Sequence, residues 1–178
     1  MSQPEDLKNK GLQEYRADDL DGAATAFEQA AAAYAAAGQA DMAAEMRNNI
    51  AVVRLAQRDW PGALSAGAGT PELFRGRGDK LREAQALANL AAAHEGAGDL
   101  AAAASLYEQA IEGFTEIGER ENRGACWKAL SGIQVKQDKK LQAMASMQAG
   151  LNLSENLSAR EKTLQGVLNQ AMKMIGPR

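Results

Sequence analysis

One cysteine, Cys126, and one histidine, His94, are all that 178 residues contain of the two side chains most used by metal sites and nucleophilic catalysis. A lone thiol closes no internal disulfide, so folding does not call for an oxidising compartment, and beside Trp127 it reads as a small buried core residue. A lone histidine cannot build a His/Cys zinc cluster, and Cys/His or Ser/His arrangements have little to draw on. The segment Ala93-His94-Glu95-Gly96 lacks the second histidine of the helical zinc motif, and His94 reads as structural, on a packing stripe. Aromatics make up only 4%, which leaves few large core side chains. No stretch approaches the roughly 18 uncharged apolar residues a membrane helix needs, and Met-Ser-Gln-Pro-Glu-Asp at the start lacks a basic region followed by an apolar run. A cytoplasmic location without leader or membrane partner is the expectation. The glycines around Gly67, Gly69, Gly76 and Gly78 have neither the preceding strand nor the Gly-Lys-Ser/Thr frame of a phosphate loop. Glu108 and Glu112 fall on the outer face of a helix and read as solvated surface. A pI near 5.3, with no basic stripe interleaved with aromatics, argues against nucleic acid. No catalytic residue, metal site or cofactor is expected, and the chain reads as non-enzymatic.

What is present is a period. Ala23, Ala63, Ala103 and Ala143 recur in one register, as do Leu20, Trp60, Leu100 and Lys140, and Phe27, Gly67, Tyr107 and Met147. Tyr34, Phe74 and Phe114 form a further column, Ile50, Leu90 and Leu130 another, and Gly38, Gly78 and Gly118 one that ends at Ser158. A fixed stride in this range means a copied, stacked supersecondary unit. Two apolar stripes at helical spacing occupy each unit, Ala84, Leu87, Ala91 and His94 against Ala103, Tyr107, Ala110 and Phe114 in the clearest copy. The break between them, Asp18-Asp19, Arg58-Asp59, Gly98-Asp99 or Asp138-Lys139, fits a tight antiparallel turn with aspartate capping the second helix. Glycine after the second stripe fits a left-handed helix stop. The repeated alanine allows two helices close approach and should be buried in every unit.

These features predict helices over about 4–17, 20–37, 40–57, 60–76 with a break, 80–97, 100–117, 121–137, 139–153 and 159–175. One domain, 1–178, is expected, with repeats at about 4–38, 40–78, 80–118 and 120–157 and a capping helix over 159–175. Ser158 with Glu161, and Ser2 with Glu5, have capping-box spacing. Leu164, Val167, Leu168, Ala171 and Ile175 give the last helix one apolar face with which to cover the end of the stack. Pro71 cannot continue the helix that begins at Trp60, so a shortened or kinked element is expected near 68–71, with Leu73 and Phe74 still packed beyond it.

The segment from Asn89 to Ala110 resembles the tetratricopeptide repeat: Leu90, Ala91, Gly98, Asp99, Leu100, Ala103, Tyr107 and Ala110 fill that family's small-residue and aromatic series. Gly11, Asp19, Leu20, Ala23, Phe27 and Ala30 repeat the pattern in the first unit, and Trp127, Leu130 and Ala143 keep part of it in the fourth. The forty-residue stride is similar to the family's longer-repeat branch of scaffold and adaptor proteins. The resemblance implies an all-α fold, a right-handed α-solenoid of four helical hairpins plus the capping helix. It also implies a concave surface, lined by first helices, that binds a peptide or helix of a protein partner.

On that surface the columns place Asn9, Asn49 and Asn89, an in-register set of amides able to donate to and accept from an extended backbone without dictating its sequence. Beside them stand Lys8, Asn48 and Lys128, then Glu45 and Gln85, then Val52. Lys8 and Asn49 match part of the family's clamp for a terminal carboxylate, but Leu12, Gln85 and Asn89 stand where asparagine, lysine and arginine are needed, so no such clamp is expected. The alternative is a self-assembling structural subunit, a monomer or weak homodimer associating through its last repeats, where Met144, Met147, Met172 and Met174 are partly exposed or fill gaps. Charge is uneven: residues 1–118 carry 10 basic and 18 acidic side chains and residues 119–178 carry 10 basic and 5 acidic. This polarity reads as drift in solvated faces or as steering of an acidic partner toward the last units.

Overall fold

The computed structural model describes residues 3–175, all of it helix and turn. Ten helices follow in chain order: α1 (Pro4–Arg16), α2 (Leu20–Ala36), α3 (Ala40–Ala56), α4 (Trp60–Gly67), α5 (Thr70–Gly76), α6 (Lys80–Ala97), α7 (Leu100–Glu116), α8 (Arg120–Lys136), α9 (Lys140–Leu153) and α10 (Ala159–Ile175). Each hairpin packs on the next, giving an all-α helical-repeat solenoid. First helices α3, α6 and α8 start at 40, 80 and 120, and second helices at 20, 60, 100 and 140, so the stride of the columns is the stride of the fold.

The turns explain the register. At the hairpin turn the chain steps through a left-handed residue, Asp18, Arg58, Gly98 or Asp138, with φ of 62°, 59°, 87° and 58°. Only one of these is glycine, and an L side chain in that region costs about 1–2 kcal/mol. The following aspartate offsets part of this: Asp19, Asp59 and Asp99 accept from the backbone N–H of Gly22, Gly62 and Ala102 at 3.0, 3.0 and 3.1 Å. Such an N-cap contributes about 1 kcal/mol. Between hairpins the left-handed residue is Gly38, Gly78 or Gly118, as the glycine column predicts. Asp79 and Glu119 then cap α6 and α8 in the same way.

Ala23, Ala63, Ala103 and Ala143 are all buried, as expected from their place between two antiparallel helices. The core is not one continuous cluster. Ala23, Phe27, Ala30, Tyr34, Met46, Ile50 and Val53 hold hairpin one to α3. A second cluster, including Leu87, Tyr107, Phe114, Cys126, Leu130 and Ile133, holds α6, α7 and α8 together. Ala44, Phe74 and Ala86 form a small cluster of their own, with Leu73 packed against it.

The expected interruption in hairpin two is a clean break. α4 stops at Gly67, Gly69 turns left-handed at φ 73°, and α5 restarts at Thr70 with Pro71 in its first turn. Thr70 is buried and its Oγ1 donates to the Gly67 carbonyl at 2.8 Å, occupying an oxygen that the broken helix leaves open.

Ser2, and with it the Ser2–Glu5 box, lies outside the described residues; the N-cap of α1 is Gln3, without a side-chain bond. The carboxylate of Glu5 accepts from Tyr34 Oη at 2.6 Å. Burial, then this bond, pushes the Tyr34 hydroxyl up to about 12. At the other end the Ser158–Glu161 box forms in full, with Ser158 N and Oγ donating to Glu161 Oε2 at 2.9 and 2.8 Å and Glu161 N donating to Ser158 Oγ at 3.3 Å. The apolar face of α10, however, is only partly turned inward. Gln165 and Asn169 bond Asn152 and Gln148 of α9, at 2.8 and 2.6 Å, and this fixes the rotation of the helix. Leu168 lies on that side and is 6% exposed, whereas Leu164 and Val167 remain 40% and 59% exposed.

Candidate partner-binding groove

Helical geometry puts residues three and four apart on one face, so α3 presents Asn48, Asn49 and Val52 together, and α6 presents Gln85, Ala88 and Asn89. The stacking of α3, α6 and α8 brings these faces side by side. They line a cavity of about 510 Å³, completed by Asn122, Ala125 and Ala129 of α8 and floored by Tyr107, Phe114 and Cys126. No charged side chain is among its lining residues.

Within it Asn89 Nδ2 donates to Asn48 Oδ1 at 3.0 Å, a bond between successive units. That bond uses one donor of Asn89 and one lone pair of Asn48, and Asn89 Oδ1 and Asn48 Nδ2 keep their own capacity to accept and to donate. Asn49 and Asn89 are half-buried, whereas Asn9, on α1, is exposed and stands apart from the cavity. Asn122 was not singled out in the sequence, because the asparagine column gives way to Ala129 in unit four. The amide comes instead from a different turn of α8.

The charged candidates are engaged with one another. Lys8 Nζ lies 3.1 Å from Glu45 Oε1, and Glu45 Oε2 accepts from Arg82 at 2.8 Å, so one carboxylate ties α1, α3 and α6. The Glu45 side chain is largely buried between its two cations. Arg82 also holds Asp79 at 2.6 Å. Lys128 reaches Glu161 of α10 at 3.4 Å and lines a neighbouring crevice of about 1260 Å³ rather than the amide cavity. The ion pairs therefore run between units beside the amide cavity and leave it neutral.

Cys126 is buried in the floor, and burial, helped by the charge of Glu119, pushes its thiol up to about 12. It is a packed side chain, not an activated nucleophile. His94, at the end of the packing stripe of α6, has its side chain partly exposed, and Nδ1 lies 3.4 Å from Asp99 Oδ2. Glu108 and Glu112 are exposed, as read from the sequence.

Residues 42–116 match the family model of the tetratricopeptide repeat, a stretch running from α3 through α7 and so covering hairpins two and three. No curated protein matches the chain. The family match supports a tetratricopeptide identity for the central hairpins, and repeats of this kind generally mediate protein–protein interaction. Among the described residues, no helix is long and apolar enough to cross a membrane.

Proposed function

We propose that the protein is a non-enzymatic binding module, one domain of four hairpins and a capping helix from the longer-repeat branch of the family. Its amide-lined hollow holds an extended, uncharged stretch of a partner polypeptide. The observation that carries this reading is the Asn48–Asn89 bond inside a cavity without charge. A peptide unit offers one carbonyl and one N–H, and the donor of Asn48 and the acceptor of Asn89 that their mutual bond leaves over match that pair. Asn49, Gln85 and Asn122 add adaptable partners, and Ala88, Ala125 and Ala129 leave room for a backbone to approach. Val52 provides an apolar contact, Asn9 extends the amide row on α1, and the ion pairs of Lys8, Glu45 and Lys128 bound the site. Specificity in such a groove comes from shape and small side chains, which suits an adaptor or scaffold.

The test is a selection of random peptides on the protein, followed by binding curves for the enriched sequence. Each hydrogen bond lost costs about 0.5–1.5 kcal/mol, so Asn49→Ala/Asn89→Ala should weaken binding roughly 5- to 150-fold. The melting temperature should fall only slightly, since both side chains are part-exposed and the one bond lost between units, Asn89 to Asn48, contributes about 0.5–1.5 kcal/mol. Undiminished affinity of the double variant would refute the groove assignment.

A further inference from the structure

Leu81, the second residue of α6, and Ile117, the C-cap of α7, both line the crevice of about 1260 Å³ that opens along the turns between hairpins. They are 42% and 38% exposed. A single exposed apolar side chain needs no explanation, but two lining one crevice do. The repeat shows how unusual the pair is. One unit earlier the same two columns hold Asp41 and Arg77, whose carboxylate and guanidinium lie 2.9 Å apart. Unit three thus keeps an apolar pair where unit two closes its surface with an ion pair, and neither Leu81 nor Ile117 belongs to the core cluster of α6, α7 and α8. Their burial gives the fold little, so the apolar surface stays available to a visitor.

The crevice adjoins the amide cavity, and Ala125 of α8 lines both. A chain seated on the amides that runs on past this small, exposed side chain enters the crevice. The charges there do not call for a charged residue. Arg77, Lys80 and Lys128 are held by Asp41, Glu116 and Glu161, Asp79 is held by Arg82, and Glu119 caps α8. What is left is Arg120 against Glu121 and Glu155, all three exposed, with no dominant sign. Given a polypeptide in the amide cavity, on which this reading rests, we infer that Leu81 and Ile117 are its specificity contact and take one large aliphatic or aromatic side chain of the same partner segment. That residue flanks the uncharged stretch held by the asparagines. The amides accept the backbone of many sequences, and the apolar pair reads a side chain.

Random peptides selected on the protein should share one large apolar residue at one end of their uncharged stretch. Replacing it with alanine in the enriched peptide should weaken binding roughly 10- to 100-fold by fluorescence anisotropy, the loss expected for a side chain of that size. Leu81→Asp/Ile117→Arg writes the ion pair of unit two into unit three, and this variant should bind the parent and alanine peptides alike. Both positions are exposed, and the circular-dichroism melt is the folding control. If the paired variant melts early, Ile117→Ala alone reads the same ratio, which should fall about threefold. Asn49→Ala/Asn89→Ala should weaken both peptides and keep the ratio between them. A ratio indifferent to the substitutions at 81 and 117 would therefore overturn the apolar contact and spare the groove, whereas affinities untouched by the asparagine variant would remove the groove on which the contact depends. Enriched peptides without a shared large apolar residue, or with a shared lysine or arginine in its place, would overturn the contact. So would a dimer in light scattering that Leu81→Asp/Ile117→Arg dissociates, and a selection that enriches no peptide would remove groove and contact together.

Discussion

Hairpins two and three share a register and a family match, yet they hold the stack together by different means. In hairpin three a continuous α7 sends Tyr107 and Phe114 into a large cluster shared with α6 and α8. In hairpin two the position equivalent to Tyr107 is Gly67, where an added Cβ would lie 2.9 Å from the Leu90 side chain. The next unit therefore fills the space that an aromatic ring fills elsewhere. Beyond the break in the helix Phe74 reaches inward, with Leu73 packed beside it, in a small cluster with Ala44 and Ala86. In a stack where each unit touches only its neighbours, the link between the two large clusters is the joint at which cooperativity is decided.

That contrast predicts the largest effect. Phe74→Ala and Phe114→Ala each remove a fully buried ring, and each should cost about 3–5 kcal/mol. The shape of unfolding should differ. Phe114→Ala lowers the urea midpoint of a single transition. Phe74→Ala splits it, because hairpin one with α3 then unfolds apart from α6 to α9. Tryptophan fluorescence and far-ultraviolet circular dichroism, followed together, decide this. Coincident curves for Phe74→Ala would mean that hairpin two is no weaker a joint than hairpin three.

Next in size is the hydroxyl inside the break. Thr70→Val keeps the shape of the side chain and strips the Gly67 carbonyl of its buried donor, which should cost about 1–3 kcal/mol; Thr70→Ser should restore most of it. No cost for the valine variant would show that the carbonyl has another partner. Smaller again is the turn comparison. Gly98 and Arg58 occupy the same left-handed step in hairpins three and two. Arg58→Gly should stabilise by up to about 1 kcal/mol, because relief of strain outweighs the added freedom of the unfolded chain, and Gly98→Arg should lose a similar amount. Both are read as shifts in urea midpoint.

How much of this could be read from the residues follows the same division. Burial of the alanine column, the helix boundaries and the aspartate caps were legible because each depends on local geometry repeated at a fixed stride. The break near 68–71 was legible because proline cannot donate, but Thr70 as its closing group was not: a threonine before a proline gives no sign of which carbonyl its hydroxyl will meet. At the candidate site, the columns put Asn48, Asn49, Val52, Gln85 and Asn89 on neighbouring faces, and these residues do line one cavity. They could not tell that Glu45 would be consumed by Lys8 and Arg82, since long charged side chains choose among several neighbours within reach. Nor could they give the rotation of α10. An apolar stripe says that a helix has a face, and the amide pairs to α9 decide where that face points.

The smallest effect concerns how firmly α10 is held, compared with α8, whose cap at Glu119 shows no such cluster of bonds. The Ser158 backbone N–H and hydroxyl, then Lys128, hold the Glu161 carboxyl below the ordinary glutamate value of 4.5. A depressed carboxyl contributes stability that is complete above its unfolded value and is lost as pH falls through its folded value. The start of α10 should therefore loosen as pH drops below about 4.5. Amide resonances of residues 159–163, followed from pH 7 to pH 3, should move through that window in the native protein. In Glu161→Gln the reciprocal bonds are weakened at every pH, so the same resonances should start displaced and stay flat. A titration that survives Glu161→Gln would assign the anchoring of α10 to Leu168 and the Gln165 and Asn169 amides instead. The helix would then be held by its packing on α9, and the Lys128–Glu161 bridge would be a bystander at the edge of the groove.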